Sequence, residues 1–344
     1  MRSSWLLVWF LLFTAETHGQ ALITPGTTPT PAAPAAPAPA QPSASDVPSP
    51  VFRAGVDLVA LTVVVTDPQQ RFVGGLSAND FAVFEDGVQQ EVSFFAQTNV
   101  PLDLALLLDT SASMLDKMDT MQRAALGFLG TLHDGDRAAI VEIKDNVRMA
   151  YPLGADIAEA EAAVRGTTAR GGTALYNGLY LSIKEMLKQR RTNGEVRRQA
   201  IAVLSDGEDT ASLVGYEDVM ELAKQAGINI YTITLKSPFA VRQAMTSGRR
   251  YFSQAEFAMK SLAQETGARS FFPTDIRELA GIYGVIADEL ANQYAIGYTP
   301  KNPRRDGAFR RVVVRVADRP DARARTRSGY VATRATSTTS APYN

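Results

Sequence analysis

The sequence predicts an α/β fold: a doubly wound, mostly parallel sheet inserted in a small β-rich domain. Three observations carry this expectation. Apolar runs of strand length, LDLALLLD (102–109), QAIAVLSD (199–206) and INIYTITL (228–235), alternate with amphipathic helical patterns. Runs that are apolar at odd and even positions alike imply strands covered on both faces, as in a parallel sheet with crossover helices. On either side of this region the pattern changes to short strands separated by Pro, Asp-Gly and Arg-rich turns.

Taken in order, residues 1–19 read as a signal peptide, with Arg2 ahead of an apolar stretch from Trp5 to Phe13 and small residues after it. The stretch is short for a membrane span, so no transmembrane segment is expected after cleavage; an uncleaved N-terminal anchor is the alternative. Residues 20–50 are Pro/Ala/Thr-rich and lack the apolar content for a core, which predicts a semi-stiff spacer. The N-terminal part of the β domain is expected over 51–98. Its VDLVALTVVVTD run is β-branched, and Asp86-Gly87 between two alternating runs is a hairpin signal.

The α/β domain is expected over 99–298. KMDTMQRAALGFLGTL (117–132) has helical spacing, and RAAIVEIKDNVRMAYPL (137–153) gives two strands about Asp145-Asn146. In ALYNGLYLSIKEMLKQRR (174–191), Leu175, Leu179, Ile183 and Leu187 fall four residues apart. Asp275 and Glu278 have capping-box spacing at the start of a helix expected to reach Tyr294. Residues 299–334 supply the C-terminal part of the β domain, and 335–344 a disordered tail. The two β pieces are expected to form one domain, because each alone would leave a face bare.

Composition removes several function classes. The 344 residues carry a formal net charge of −1, which is no footprint for nucleic acid. The Arg304, Arg305, Arg310 and Arg311 cluster, broken by Asp306, is expected to be a solvated hairpin. Cysteine is absent, so thiol catalysis, zinc–thiolate sites and disulfides are excluded. The only histidines are His18 and His133, which leaves little material for a Ser-His-Asp hydrolase.

In an open parallel sheet, ligands bind beyond the carboxyl ends of the strands. Three polar signals sit at such places: Asp109, Ser111 and Ser113 in DTSAS, Thr173 in the Gly-rich GGTALY, and Asp206 in LSDGEDT. All five side chains are hard oxygen donors, which suits Mg²⁺ first, then Mn²⁺ or Ca²⁺, over zinc. Residues at i, i+2 and i+4 of a tight loop can converge on one point, and Gly171-Gly172 lets the backbone bring Thr173 close. The competing account is local: Ser111, Ser113 or Thr173 capping a helix, and Asp206 ordering a turn. Glu208 and Asp209 are expected to be loop acids beside the site.

These residues resemble the metal-ion-dependent adhesion site of von Willebrand factor A domains. The order of strands and helices around them is similar to that fold for about 200 residues. The flanks, GLSANDFAVFEDG before and QYAIGYTPKN with GAFRRVVVRV after, resemble a secreted bacterial subfamily that carries the domain between β segments. The resemblance implies metal positions at Asp109, Ser111, Ser113, Thr173 and Asp206, some direct and some through water. It also implies a non-enzymatic adhesion or assembly module. The expected function is a secreted or periplasmic, cell-envelope-exterior binding protein. It would use the cation to bind a carboxylate of a protein or glycan partner. Two alternatives stand beside it. One is a metal-independent scaffold acting through the β domain or the 236–254 loop, which carries Phe239, Tyr251 and Phe252. The other is a Mg-dependent phosphohydrolase similar to haloacid dehalogenases, which needs a second Asp where Ser111 stands.

Overall fold

The structure is a computed structural model that describes residues 58–332 apart from 98–99, 194–196, 207, 236–252 and 318. All described residues fall within one compact unit, 53–344. The expected leader, spacer and tail, the first seven residues of the expected β domain, and the loop aromatics Phe239, Tyr251 and Phe252 lie outside the described residues.

The central sheet has six strands. β5 (Leu102–Asp109) lies between β6 (Arg137–Ile143) and β8 (Arg198–Ser205), both parallel to it. β9 (Asn229–Thr234) and the short β10 (Ser270–Phe271) continue the parallel order beyond β8. β7 (Val147–Gly154) closes the opposite edge antiparallel to β6 through the turn expected at Asp145-Asn146. All eight residues of β5 are buried. Leu104, Leu106 and Leu108 enter one apolar layer, with helices α1 (Met118–Leu129), α2 (Ile157–Arg165) and α6 (Leu279–Ala291). Ala105 and Leu107 enter the other, with α3 (Leu175–Asn193), α4 (Tyr216–Ala226) and α5 (Gln254–Glu265). This two-sided burial is why the run from Leu104 to Leu108 is continuously apolar. The chain goes from β5 to β6 on one side and reaches β8 on the other only later, so the strand order reverses around β5. A crevice outside the carboxyl end of β5 is therefore a built-in ligand position.

The flanking strands form two four-stranded sheets, ordered β13-β1-β11-β4 and β14-β12-β2-β3. Here β1 is Val59–Thr66, β2 Phe81–Glu85, β3 Val88–Gln90 and β4 Val92–Gln97; after the central domain come β11 (Tyr294–Tyr298), β12 (Phe309–Val316), β13 (Arg323–Arg325) and β14 (Gly329–Val331). Val59, Leu61, Val63 and Val65 of β1 share a core with Phe81, Val83, Val312 and Val314 of the second sheet. Both sheets mix strands from before and after the α/β part, so the latter is inserted in a single β-rich unit. Asp86 (φ 47°) and Gly87 (φ 83°) both adopt left-handed backbone, as the tight β2–β3 hairpin demands.

Three details depart from the sequence expectations. The last helix stops at Ala291 rather than Tyr294, because Tyr294 begins β11 and is buried against the aromatic rings of Phe72, Phe81 and Phe95. Helix α2, capped by Asp156 accepting from the Glu159 N–H at 3.0 Å, was not expected, since its nine residues carry few large apolar side chains. Arg310 is not solvated: it is 2% exposed and lies 3.5 Å from the buried carboxylate of Glu85.

Candidate metal centre

Asp109 is the last residue of β5 and is completely buried. Its Oδ1 accepts the Ser111 N–H at 2.9 Å and its Oδ2 the Ser205 hydroxyl at 2.6 Å. Beyond it the chain turns into a 3-10 segment, Ala112–Lys117, with Ser111 in the capping position. The Ser111 side chain makes no capping bond there. Its hydroxyl instead lies 3.0 Å from the Ser113 hydroxyl, which donates to Asp206 Oδ2 at 2.7 Å. Asp109, Ser111, Ser113 and Asp206 are thus joined by one short chain of hydrogen bonds, an arrangement that simple helix capping does not require.

Thr173 arrives by a different route. Its loop is laid against the Asp109 loop by the Arg170 N–H on the Thr110 carbonyl at 2.9 Å and the Ala112 N–H on the Gly171 carbonyl at 3.0 Å. Asp145, in the β6–β7 turn, receives the Gly172 N–H. Gly171 has φ +72° and its α-carbon faces the Asp145 carboxylate so closely that a Cβ would overlap it. Gly171 is therefore required both for its backbone angle and for its lack of a side chain. Thr173 itself is buried, its N–H donating to the Thr210 hydroxyl at 2.9 Å. Among the described residues its hydroxyl makes no hydrogen bond to the other four side chains.

The electrostatics favour a cation. Burial is the main cause that pushes the Asp109 carboxyl above its usual range. The Ser111 and Ser205 hydrogen bonds oppose the shift, and the nearby Asp206 charge adds to it. Among the described residues, neither Asp109 nor Asp206 forms an ion pair. The nearest basic group in the hydrogen-bond chain is Lys117, whose Nζ donates to the Ser113 carbonyl at 2.9 Å and not to a carboxylate. No group of three or more His, Cys, Asp or Glu placed to hold a metal occurs among the described residues. A cation here would have to complete its shell from hydroxyls and water, which suits a hard ion. The donor set fits that class.

Three contributors escaped the sequence reading. Ser205 is a polar residue closing an apolar strand, the same signal that marked Asp109, and it could have been found beside Asp206. Asp145 carried only a turn signal, and Thr210 none. Asp209 is more than a loop acid: its Oδ1 accepts from the Ser212 hydroxyl at 2.6 Å and the Tyr176 N–H at 3.3 Å, tying the Asp206 loop to α3. Glu208 is exposed.

Several known proteins are similar to this chain. An uncharacterized protein of Synechocystis is 34% identical over 116 residues, covering 32% of this chain and 26% of that protein, so the match spans about a quarter of the relative's length. Among solved structures, a von Willebrand factor type A protein from Catenulispora acidiphila superposes with a TM-score of 0.47 at 13% identity, covering 82% of this chain and 73% of the other. Proximal thread matrix protein 1 of the mussel byssus, with a zinc-occupied MIDAS motif, gives 0.45 at 16% identity over 60% of this chain and 50% of its own. The model of the von Willebrand factor type A domain matches residues 103–284, just over half of the chain. With the six-stranded, mostly parallel sheet carrying helices on both faces, this match means that the chain belongs to the von Willebrand factor type A domain family.

Proposed function

We propose that the protein is a non-enzymatic binding module, secreted or on the exterior of the cell envelope, that holds a divalent cation and through it an acidic group of a protein or glycan partner. The observation that carries this is the buried Asp109, linked through Ser111 and Ser113 to Asp206 with no cationic side chain paired to either acid among the described residues. Asp109, Ser111, Ser113, Thr173 and Asp206 would hold the ion, with Mg²⁺ favoured by the all-oxygen set and Mn²⁺ or Ca²⁺ its competitors. When bound, such an ion supplies a coordination position that an outside carboxylate can take by exchange with water.

The chain's own residues prepare that position. Ser205 and the Ser111 N–H hold both oxygens of Asp109, fixing its orientation before any ion arrives. Ser113 keeps Asp206 turned toward the loop of Ser111. The phosphohydrolase alternative has no support here, since the position needing an acid is Ser111, whose hydroxyl lies against Ser113. No helix among the described residues is long and apolar enough to cross a membrane.

Calorimetric titration with MgCl₂ tests the centre. Wild-type protein should give saturable heat, Asp109→Ala none, and Ser111→Ala and Thr173→Ala weaker binding. Wild-type protein that takes up none of Mg²⁺, Mn²⁺ or Ca²⁺ would overturn the proposal.

A further inference from the structure

A cleft of about 640 Å³ opens beside the metal centre, on the side of the Asp206 loop. Its wall is shared with that centre: Thr210, which receives the Thr173 N–H, lines it, and so does Glu208, whose N–H donates to Asp206 Oδ1 at 3.3 Å. The rest of the lining combines two kinds of side chain. Tyr176 and Tyr216 form a tilted pair, with ring centroids 5.9 Å apart at 56°, and Phe257 adds a third ring that is 66% exposed. Glu208, Asp209 and Glu217 supply three carboxylates, and among the described residues no Lys, Arg or His lines the cleft. Among the described residues, none of these three acids is in an ion pair.

We infer that this cleft receives an arginine side chain of a protein partner, next to the carboxylate held at the metal centre. The inference rests on the proposed function in taking the partner to be a protein and in placing its carboxylate at the metal centre. A guanidinium suits the lining because it stacks on aromatic faces and meets carboxylates with its planar fork of donors. Burial, aided by the neighbouring acids, raises the hydroxyls of Tyr176 and Tyr216, so both rings stay neutral near pH 7. A partner with an acid and an arginine at the right separation would meet both features at once. A partner with the acid alone would forgo the second contact, which gives the site a basis for choosing between acidic ligands.

An NMR titration of the full chain in EDTA isolates this contact from the metal. The probe is acetyl-Gly-Arg-Gly-Arg-Gly-amide, with the peptide carrying citrulline in place of arginine as the uncharged control. The arginine peptide should bind saturably and shift the resonances of Tyr176, Tyr216 and Phe257, in wild type and Asp109→Ala alike. The control should not bind. Glu208→Gln with Glu217→Gln, both at exposed positions, should weaken binding by roughly fivefold or more, as loss of the charge component predicts. Phe257→Ser should also weaken it without changing charge. Equal binding of the citrulline peptide, an unchanged affinity in the Gln double variant, or shifts confined to other residues would overturn the inference. Because EDTA is present throughout, a failure here leaves the Mg²⁺ titration untouched, and the reverse also holds.

Discussion

The oxygen chain of the candidate metal centre depends on residues to which the proposal gives no ligand role. Ser205 is completely buried, and its hydroxyl is one of two groups orienting Asp109. Ser205→Ala should leave the fold in place but lower Mg²⁺ affinity by about 10- to 100-fold, the usual effect of removing a group that orients a ligand. The same calorimetric titration measures it, and unchanged affinity would show that Asp109 is held by the loop alone. Legibility at this scale was uneven. Asp109 and Asp206 were visible because a charged residue ending an apolar strand is costly unless it serves something. Asp145 was invisible because its role comes from a loop that approaches it from 27 residues further along the chain.

At the level of elements, β5 is the member on which both apolar layers close. Leu106 is completely buried in the layer that includes Phe128 and Tyr283, whose stacked rings join α1 to α6 with centroids 4.7 Å apart. Leu106→Ala should cost about 2–5 kcal/mol, since flanking strands cannot collapse into the space left. Urea unfolding followed by circular dichroism reads the loss directly, and a cost below about 1 kcal/mol would mean the layer repacks. Strand and helix identities were legible here because period and apolarity are local properties. Helix α2 was not, because it is held by its Asp156 cap and by packing of Ala160 and Val164 on the sheet rather than by a broad apolar face.

On the scale of the whole molecule, one buried acid binds together strands that enter the chain before and after the inserted domain. Glu85 on β2 accepts the hydroxyls of Tyr298 on β11 and Tyr330 on β14, each at 2.8 Å, and lies 3.5 Å from Arg310 on β12. Removing it leaves the buried Arg310 with the half-exposed Asp306, also at 3.5 Å, as its one remaining carboxylate among the described residues. Glu85→Ala should therefore destabilise the protein by about 3–5 kcal/mol. The shift in urea midpoint at constant slope measures this. A second tie runs from Glu289 on α6 to Arg325 on β13 at 2.5 Å and to Arg269 at 3.0 Å, joining the inserted domain to its host.

The class of the fold, the order of its elements apart from α2, and the positions of the two strand-end aspartates were settled by the sequence alone, because each follows from local periodicity and from the cost of placing polar groups at the end of apolar strands. Only the tertiary structure decided that Ser205 orients Asp109, that Arg310 is buried against Glu85, and that rings and acids from α3, the Asp206 loop, α4 and α5 line one cleft. These are contacts between segments far apart in the chain, and no local pattern encodes which distant side chain will face which.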